Sequence, residues 1–339
     1  MVPEDPDAVT DAAATPTEQH AADDPDVVVL RRTANGLSAA DYAQTLRDRL
    51  PEREVVHART PEAERRFLRE ASIATGLAID EELLAEAAHL DLFAATVAGT
   101  DHLPLEAFEE RGIPVTNASG VHATPIAEYV VGWLLSFSAR FHKAERQRTD
   151  GEWRSYPKDE LAGSTVTVIG LGAIGTAVVD RLAPFGVGTI GIRYTPEKGG
   201  PTDEVVGFDP VAVHDALSRS EYVVVACPLT DLTEGLLDHD AFQTMPSEAV
   251  LVNIARGPVV DTDALVWALG ENAIRGAALD VTDPEPLPND HPLWDFGNVH
   301  ITPHNAGYTP KYWKRMADII AENVERMEAG SDDLRNRVV

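Results

Sequence analysis

Three residues suited to anion binding and proton transfer stand after apolar segments in the last third of the chain: Arg256, Glu285 and His304. An arginine can hold a carboxylate through two parallel hydrogen bonds. A histidine titrates near neutral pH and can therefore donate or accept a proton. A carboxylate beside such a histidine favours its protonated form and orients the ring, which is the role we assign to Glu285.

Taken singly, each residue has an ordinary structural interpretation: a surface arginine, a loop glutamate and a histidine satisfied in the core. Together they are more informative, because each follows one of three successive apolar runs that predict buried strands. The carboxyl ends of parallel strands meet at one edge of a sheet, where ligands bind in open α/β domains. We therefore predict a shared site at that edge. The runs are 249–254, 277–281 and 299–302.

A segment further upstream predicts a nucleotide site in the same domain. An apolar, β-branched run at 165–169 is followed by a glycine-rich turn, a helical pattern over 176–185 and a second strand at 189–192. In this context a G-x-G-x-x-G turn indicates dinucleotide binding. Its first glycine permits the tight turn, its second lets the pyrophosphate approach, and its third lets helix and strand pack closely. The turn consists of Gly170, Leu171, Gly172, Ala173, Ile174 and Gly175.

The residue at the end of that second strand predicts which dinucleotide binds. NAD-binding units usually have Asp or Glu there, about 20 residues after the glycines, to accept hydrogen bonds from the ribose. This chain has Arg193, followed by Tyr194, Thr195 and Lys198. A guanidinium can pair with the 2′-phosphate of NADP, which a carboxylate would repel. We expect NADPH to be preferred, with NADH as an alternative; a solvated strand-end arginine is the competing interpretation.

Alternating strand and helix patterns predict an α/β fold of two open parallel-sheet domains with a cleft between them. Residues 26–119 and 306–339 are expected to form a flavodoxin-like substrate domain, and 120–305 a Rossmann dinucleotide-binding domain. Residues 1–25 have no periodicity and predict a mobile acidic arm. Further strands are predicted at 26–30, 54–58, 71–76, 91–97 and 221–226, and helices at 38–50, 61–69, 80–88, 211–219, 238–245, 261–270 and 309–329.

Small residues follow the predicted strand at 91–97: Ala98, Gly99 and Thr100. At the carboxyl end of a strand, such residues let backbone N–H groups reach an anionic ligand. An ordinary turn explains the stretch equally well. We therefore regard it as a candidate substrate loop.

A long helix that starts near Thr124 is apolar on more than one face. Apolar residues from Ile126 to Phe137 recur at helical spacing, yet Val131 and Leu135 lie off that stripe. A helix of this kind needs more than one neighbour. We predict that it packs on its own domain and against a second subunit, which gives a homodimer through the nucleotide domain.

The chain is strongly acidic: 56 acidic against 28 basic residues give a net charge of −28, and five of the basic residues are lysine. Such a surface repels phosphates and anionic lipid, so we expect neither a nucleic acid nor a membrane partner. Self-repulsion also destabilises the compact state unless salt screens it. The composition therefore favours a halophilic protein in a salt-rich cytoplasm; an ordinary acidic enzyme is the alternative.

Cys227 is the single cysteine, so an internal disulfide and a cysteine-rich zinc site are excluded, and we expect no metal. No apolar run reaches the length of a membrane span, and no basic-then-apolar leader stands at the N-terminus. These features predict a soluble, cytoplasmic protein.

Reduction of a 2-keto acid needs a cation for the carboxylate, a proton donor for the keto oxygen and a hydride donor. Arg256, His304 and a bound dinucleotide could supply these. The chain resembles the D-isomer-specific 2-hydroxyacid dehydrogenase family over about 27–335. The resemblance is carried by the glycine-rich turn, Cys227-Pro-Leu-Thr230, Asn253-Ile-Ala-Arg-Gly257, Leu279-Asp-Val281 with Pro284-Glu-Pro286, and Thr302-Pro-His304.

The resemblance implies reversible reduction of 2-keto acids to D-2-hydroxy acids. It implies that His304 is the acid/base, that Glu285 pairs with it and that Arg256 binds and polarises the keto acid. It places the substrate loop on Ala98, Gly99 and Thr100. The nicotinamide-side contacts implied by the family are Cys227, Pro228, Thr233, Ile254, Asp280 and Ala306; Asp280 could instead be a strand-end cap.

Two alternatives stay open within this resemblance. The chain could be a glyoxylate/hydroxypyruvate reductase, or a corepressor-like module that binds dinucleotide without catalysis and keeps the same three residues. The chain also departs from the commoner pattern, since Arg193 stands at the usual Asp and Cys227 at a position often held by His. Phosphoglycerate dehydrogenases often carry a regulatory C-terminal extension, which we do not expect here. Formate dehydrogenases have glutamine at the position of Glu285.

Overall fold

The computed structural model describes residues 25–33 and 37–339 of the chain, so the predicted acidic arm lies outside the described residues save Pro25. The chain forms two compact units, divided between Asn117 and Ala118 and again between Met316 and Ala317. The domain limits predicted from sequence, 119/120 and 305/306, stay a prediction.

The first unit is built on a five-stranded parallel sheet in the order β2-β1-β3-β4-β5. Its strands are almost wholly buried, which explains why they appear in the sequence as short apolar runs rather than as an alternating pattern. The strands are β1 Val27–Val29, β2 Val55–His57, β3 Ile73–Gly76, β4 Leu92–Ala95 and β5 Val115–Thr116. The helices are α1 Ala39–Arg49, α2 Pro61–Leu68, α3 Glu81–Ala85 and α4 Leu105–Glu110.

The second unit contains a seven-stranded parallel sheet in the order β12-β11-β10-β9-β6-β7-β8. Its strands are β6 Thr165–Ile169, β7 Gly188–Ile192, β8 Glu204–Val206, β9 Tyr222–Val225, β10 Val250–Asn253, β11 Gly276–Leu279 and β12 Val299–Ile301. Its helices are α5 Ala123–Ser138, α6 Phe141–Asp150, α7 Ala173–Leu182, α8 Pro210–Ser218, α9 His239–Thr244 and α10 Thr262–Gly270. The last helix, α11 Tyr312–Glu328, starts in this unit and continues in the first.

Two apolar layers cover the faces of the larger sheet. One layer joins α8, α9 and α10 to the sheet and contains Phe242 and Leu265. The other joins α5 and α7 to the opposite face and contains Leu134 and Val178. The predicted fold class, two open parallel α/β sheets, is confirmed.

Four elements were missed by the sequence predictions: α4, β5, α6 and β8. β5 has two residues, and β8 is a half-buried edge strand, so neither gives an apolar run. α6 is polar on most of its surface, and Gly151 ends it in the left-handed region with φ 69°. The predicted start of the helix after the glycine turn was also wrong: α7 begins at Ala173, inside the glycine-rich turn, rather than at Thr176.

Candidate functional site

Arg256, Glu285 and His304 follow β10, β11 and β12, which are adjacent parallel strands. His304 and Glu285 are in direct contact, with Nδ1 of the ring 2.8 Å from Oε1 of the carboxylate. An ionised carboxylate only accepts hydrogen bonds, so Nδ1 carries the proton of this bond and Nε2 is left for a ligand. The side chains are 49% and 44% exposed, so a ligand can reach the pair.

The backbone of His304 is held in the left-handed region, with φ 52°. Its N–H donates to the carbonyl of Asp280 at 2.8 Å. The buried Asp280 side chain accepts the N–H groups of Asn305 and Ala306, each at 2.9 Å. Asp280 therefore shapes the loop that carries His304, which favours its interpretation as a strand-end cap.

The turn that carries Arg256 is folded by Asn253, the last residue of β10. Asn253 is 1% exposed; its side chain accepts the N–H of Ala255 and donates to the carbonyl of Arg256, both at 3.1 Å. The Arg256 side chain is exposed, and its Nη1 donates to the carbonyl of Ala255 at 2.7 Å. A guanidinium has five N–H donors, so this contact leaves it able to bind a carboxylate.

A hollow of about 340 Å³ lies beside Arg256 at the ends of β9 and β10. It collects four of the residues predicted to bind the cofactor, together with one predicted to bind substrate. These are Ile174, Cys227, Pro228, Ile254 and Arg256. Burial raises the pKa of the Cys227 thiol to about 11, so this cysteine is neutral at physiological pH and lines the hollow as an apolar group.

The glycine-rich turn has the geometry that its sequence predicts. Gly170 has φ 101°, and a Cβ there would lie 2.6 Å from the backbone nitrogen of Cys227. A Cβ on Gly175 would lie 1.9 Å from the carbonyl oxygen of Gly170, so only glycine fits between the helix and the turn. Gly172 faces open space and precedes α7, whose first N–H groups can receive a phosphate.

Arg193 follows β7, and its Nη1 donates to the carbonyl of Gly199 at 2.5 Å. Pro196–Lys198 forms a short 3₁₀ turn between these two residues. Tyr194 is 83% exposed, and Thr195 is half-buried at the start of the turn. The structure therefore keeps Arg193, Tyr194 and Thr195 at the strand end that follows the glycine motif.

Thr233 and Ala306 use their polar groups inside the protein. The Thr233 hydroxyl is buried, donates to the carbonyl of Pro228 at 2.7 Å and accepts the N–H of Thr230 at 2.9 Å. The N–H of Ala306 is taken by Asp280. Both residues fix loops at the carboxyl edge of the sheet, and their predicted contact with nicotinamide stays a prediction.

In the first unit, Ala98 and Gly99 are exposed just beyond β4, whereas Thr100 is buried. Asn117 donates its side-chain N–H to the carbonyl of Ala98 at 2.7 Å and so fixes the position of this loop. Substrate binding by these three residues stays a prediction.

Four residues that hydrogen-bond to predicted site residues or to their loops were not singled out from the sequence: Asn117, Asn253, Thr302 and Tyr129, the last through its contact with Thr302. Asn253 and Thr302 stand inside the quoted motifs, so their position was a usable signal. Tyr129 and Asn117 are distant in sequence from the residues that they contact, and no local pattern marks them.

Over 25–33 and 37–339, no group of three or more His, Cys, Asp or Glu side chains could hold a metal ion. Within the same part of the chain, every helix is too short or too polar to cross a membrane.

The chain is similar to known proteins of one family. Residues 131–306 match the D-isomer specific 2-hydroxyacid dehydrogenase family in its NAD binding domain. A glyoxylate reductase of Thermofilum pendens is 38% identical over 253 residues, which cover 73% of this chain and 74% of that protein. A human glyoxylate reductase/hydroxypyruvate reductase is 39% identical over 254 residues, or 73% and 76% of the two chains.

Among solved structures, a D-isomer specific 2-hydroxyacid dehydrogenase from Xanthobacter autotrophicus, determined in complex with NADPH and MES, is similar to this chain. The two are 30% identical with a TM-score of 0.73, over 93% of this chain and 98% of that one.

Proposed function

The chain belongs to the D-isomer specific 2-hydroxyacid dehydrogenase family of NAD(P)-dependent oxidoreductases, and we propose that it reduces 2-keto acids to D-2-hydroxy acids with NADPH as the preferred cofactor. The observation that carries the proposal is the His304–Glu285 pair, 2.8 Å apart. Glu285 and His304 follow the paired strands β11 and β12, and β11 also pairs with β10, the strand that ends before Arg256. The family predicted from sequence is confirmed; the roles of individual residues remain our proposal.

Each of the three side chains has one task in the proposed reaction. Arg256 binds the substrate carboxylate through parallel hydrogen bonds. The protonated His304 donates from Nε2 to the keto oxygen, and Glu285 stabilises the imidazolium at Nδ1. The reduced nicotinamide, when bound, supplies the hydride for the keto carbon. His304 then regains its proton from solvent, and the reverse reaction uses the neutral ring as a base.

The residues of the nucleotide site fit a dinucleotide. The open face at Gly172 and the start of α7 can hold the pyrophosphate, and the hollow lined by Cys227, Pro228 and Ile254 can hold the nicotinamide end. Arg193 can pair with the 2′-phosphate of NADPH. The NADPH bound by the Xanthobacter relative supports this preference, and NADH is expected to be a weaker alternative.

The names of the relatives indicate which substrates to try first. Two relatives that are 38% and 39% identical are a glyoxylate reductase and a glyoxylate reductase/hydroxypyruvate reductase. We therefore propose a small 2-keto acid such as glyoxylate or hydroxypyruvate.

We further propose that the protein works in a salt-rich cytoplasm as a homodimer, without nucleic acid or membrane partners. The net charge of −28 supports the salt-rich setting and the absence of nucleic acid and membrane partners. The dimer is supported by Leu135 on α5 and Phe141 on α6, which are apolar and 37% and 56% exposed. Light scattering coupled to gel filtration in molar KCl tests it; a monomer at micromolar concentration would contradict it.

The decisive experiment is a turnover panel with purified full-length protein in molar KCl. Glyoxylate, hydroxypyruvate, pyruvate and branched 2-keto acids are each combined with NADPH or NADH, and dinucleotide oxidation is followed at 340 nm. We expect His304→Ala to lower turnover by a factor on the order of 10²–10⁴, the usual contribution of a general acid. Dinucleotide binding without oxidation of any substrate would favour the corepressor-like module.

A further inference from the structure

The hydroxyl of Tyr129, on α5, is joined to the loop of His304 by a continuous chain of hydrogen bonds. Tyr129 Oη lies 2.5 Å from Thr302 Oγ1. Thr302 Oγ1 in turn donates to Asp280 Oδ1 at 2.6 Å. The proposed reaction does not use Tyr129 or Thr302, and no strand or sequence motif connects Tyr129 with the site.

The direction of each hydrogen bond follows from the donors that are available. A threonine hydroxyl has one proton and the Asp280 carboxylate can only accept, so the Thr302 hydroxyl donates its single hydrogen bond to Asp280. The contact between Tyr129 and Thr302 then requires the tyrosine to donate. Burial raises the pKa of the Tyr129 hydroxyl, against smaller opposing effects of its hydrogen bonds to Thr302 and Trp133, so the donor stays protonated at neutral pH.

This series of hydrogen bonds ends at the backbone N–H groups of the two residues that follow His304. Asp280 Oδ1 also accepts the N–H of Asn305, and Oδ2 accepts that of Ala306. The carbonyl of Asp280 accepts the N–H of His304 itself. The two carboxylate oxygens thus receive three donors, one of which is the hydroxyl that Tyr129 orients.

His304 needs this support because of its backbone conformation. At φ 52° it occupies a backbone region that residues other than glycine rarely adopt, and such a conformation persists only where the surroundings fix it. Gly307, three residues on, is fixed as well, since His122 Nδ1 lies 2.8 Å from its carbonyl oxygen. Asp280 and His122 hold the loop at two points, and the first of them is braced by Tyr129.

We propose that Tyr129 is a positioning residue: through Thr302 and Asp280 its hydroxyl holds the loop that presents His304 to the substrate. The proposal rests on the proposed function, in which His304 donates the proton. Loss of the hydroxyl should displace Nε2 of His304 relative to the keto oxygen and leave the dinucleotide site intact. It should therefore lower kcat without changing the KM for NADPH.

The first test is Tyr129→Phe against a matched control, Tyr222→Phe. Tyr222 is another tyrosine of the second unit, buried where Tyr129 is half-buried. It lies at the start of β9 and hence at the opposite edge of the sheet, and its hydroxyl contacts Arg275 Nη2 at 3.2 Å. Tyr129→Phe should reduce kcat on the order of 10-fold, since misplacement of a catalytic group by about 1 Å can cost about 100-fold. Tyr222→Phe should keep the wild-type kcat.

A second pair of variants tests Thr302 itself. Thr302→Val removes the hydroxyl at nearly constant shape, whereas Thr302→Ser keeps it. We expect Thr302→Val to lower kcat as Tyr129→Phe does, and Thr302→Ser to keep a kcat near that of the wild type. In the double variant Tyr129→Phe/Thr302→Val, the loss of kcat should be smaller than the product of the two single effects. Three results would each overturn the proposal: a wild-type kcat in Tyr129→Phe, a loss of kcat in Tyr222→Phe equal to that in Tyr129→Phe, or a loss in Thr302→Ser equal to that in Thr302→Val.

One readout does not depend on activity and so separates this proposal from the proposed function. The ring proton resonances of His304, assigned by their loss in His304→Ala, are compared between wild type and Tyr129→Phe by NMR in molar KCl. A clear change in the His304 resonances supports the positioning role even if no substrate is found. Identical resonances in the two proteins would refute it.

Discussion

Glu285 and His304 form a hydrogen-bonded pair, 2.8 Å from Oε1 to Nδ1, although both side chains are close to half exposed. An ion pair at such exposure contributes little to stability. The arrangement is therefore better explained by the ring orientation that it imposes, which directs Nε2 away from the carboxylate. This distinction leads to a test in which activity and stability are expected to separate.

Glu285→Gln should lower kcat for reduction by about 10- to 100-fold, because the neutral amide cannot stabilise the imidazolium as a carboxylate does. The melting temperature should stay close to that of the wild type. Asp283→Asn, which removes an exposed carboxylate two residues earlier, is the matched control and should keep its activity. Equal kcat in Glu285→Gln and wild type would remove Glu285 from the mechanism.

Arg193→Asp should raise the KM for NADPH by about 10- to 100-fold, since a hydrogen bond to a charged group contributes about 1.5–3 kcal/mol. The KM for NADH should stay the same or fall, because the new carboxylate can accept hydrogen bonds from the ribose. Steady-state kinetics with both cofactors measures this. Arg154→Asp makes the same charge change at an exposed position outside the strand end. A parallel loss with both cofactors would contradict the assignment of Arg193.

We expect Gly175→Ala to lower the stability of the protein and Gly172→Ala to weaken dinucleotide binding. A Cβ on Gly175 would lie 1.9 Å from the Gly170 carbonyl, whereas a Cβ on Gly172 meets nothing within 4 Å. We expect the first to destabilise the protein by about 1–3 kcal/mol through overpacking. The second should keep wild-type stability and bind dinucleotide more weakly. Urea unfolding and fluorescence titration with NADPH separate the two; similar stability losses would show that the turn is packed differently.

Acid should destabilise the protein between about pH 6.5 and pH 4, partly through His142. Burial, and to a lesser degree the charges of His300, Arg146, Arg140 and Arg275, lower the pKa of His142 from 6.5 to about 4. Because the unfolded chain then binds the proton first, the stability contributed by the neutral ring is lost as the pH falls through this window.

His142→Gln should make the dependence of the unfolding free energy on pH shallower in that window. The exposed residue His89, changed to Gln, serves as the control. Urea unfolding at constant KCl from pH 7.5 to 4.5 gives both slopes. An unchanged slope in His142→Gln would mean that the ring does not remain neutral in the folded state.

The melting temperature should rise by several degrees or more from 0.1 M to molar KCl, since salt screens the mutual repulsion of 56 acidic residues, which only 28 basic residues offset. Differential scanning calorimetry over a KCl series measures it, with sucrose as an uncharged control for general stabilisation. A melting temperature that does not respond to KCl would remove the proposed salt-rich setting.

The sequence by itself determined the parts of this protein that depend on short-range patterns. The buried strands β6, β9 and β10 are continuous apolar runs, and the glycine-rich turn lies within 165–192, so both were predicted nearly to the residue. Arg256, Glu285 and His304 could be assigned to one sheet edge because each follows a strand of a parallel sheet, where the carboxyl ends must coincide.

Tertiary structure alone decided how those side chains are held. Asp280 and Tyr129 are 24 and 175 residues away from His304 along the chain, and the hydrogen bonds that join them to its loop depend on α5, β11 and β12 packing at particular positions. The edge strand β8 and the polar helix α6 were missed for a related reason, since they are fixed by neighbours rather than by their own apolar pattern. Local periodicity specifies which segments are buried, whereas the orientation of a catalytic ring depends on contacts between residues that no sequence spacing relates.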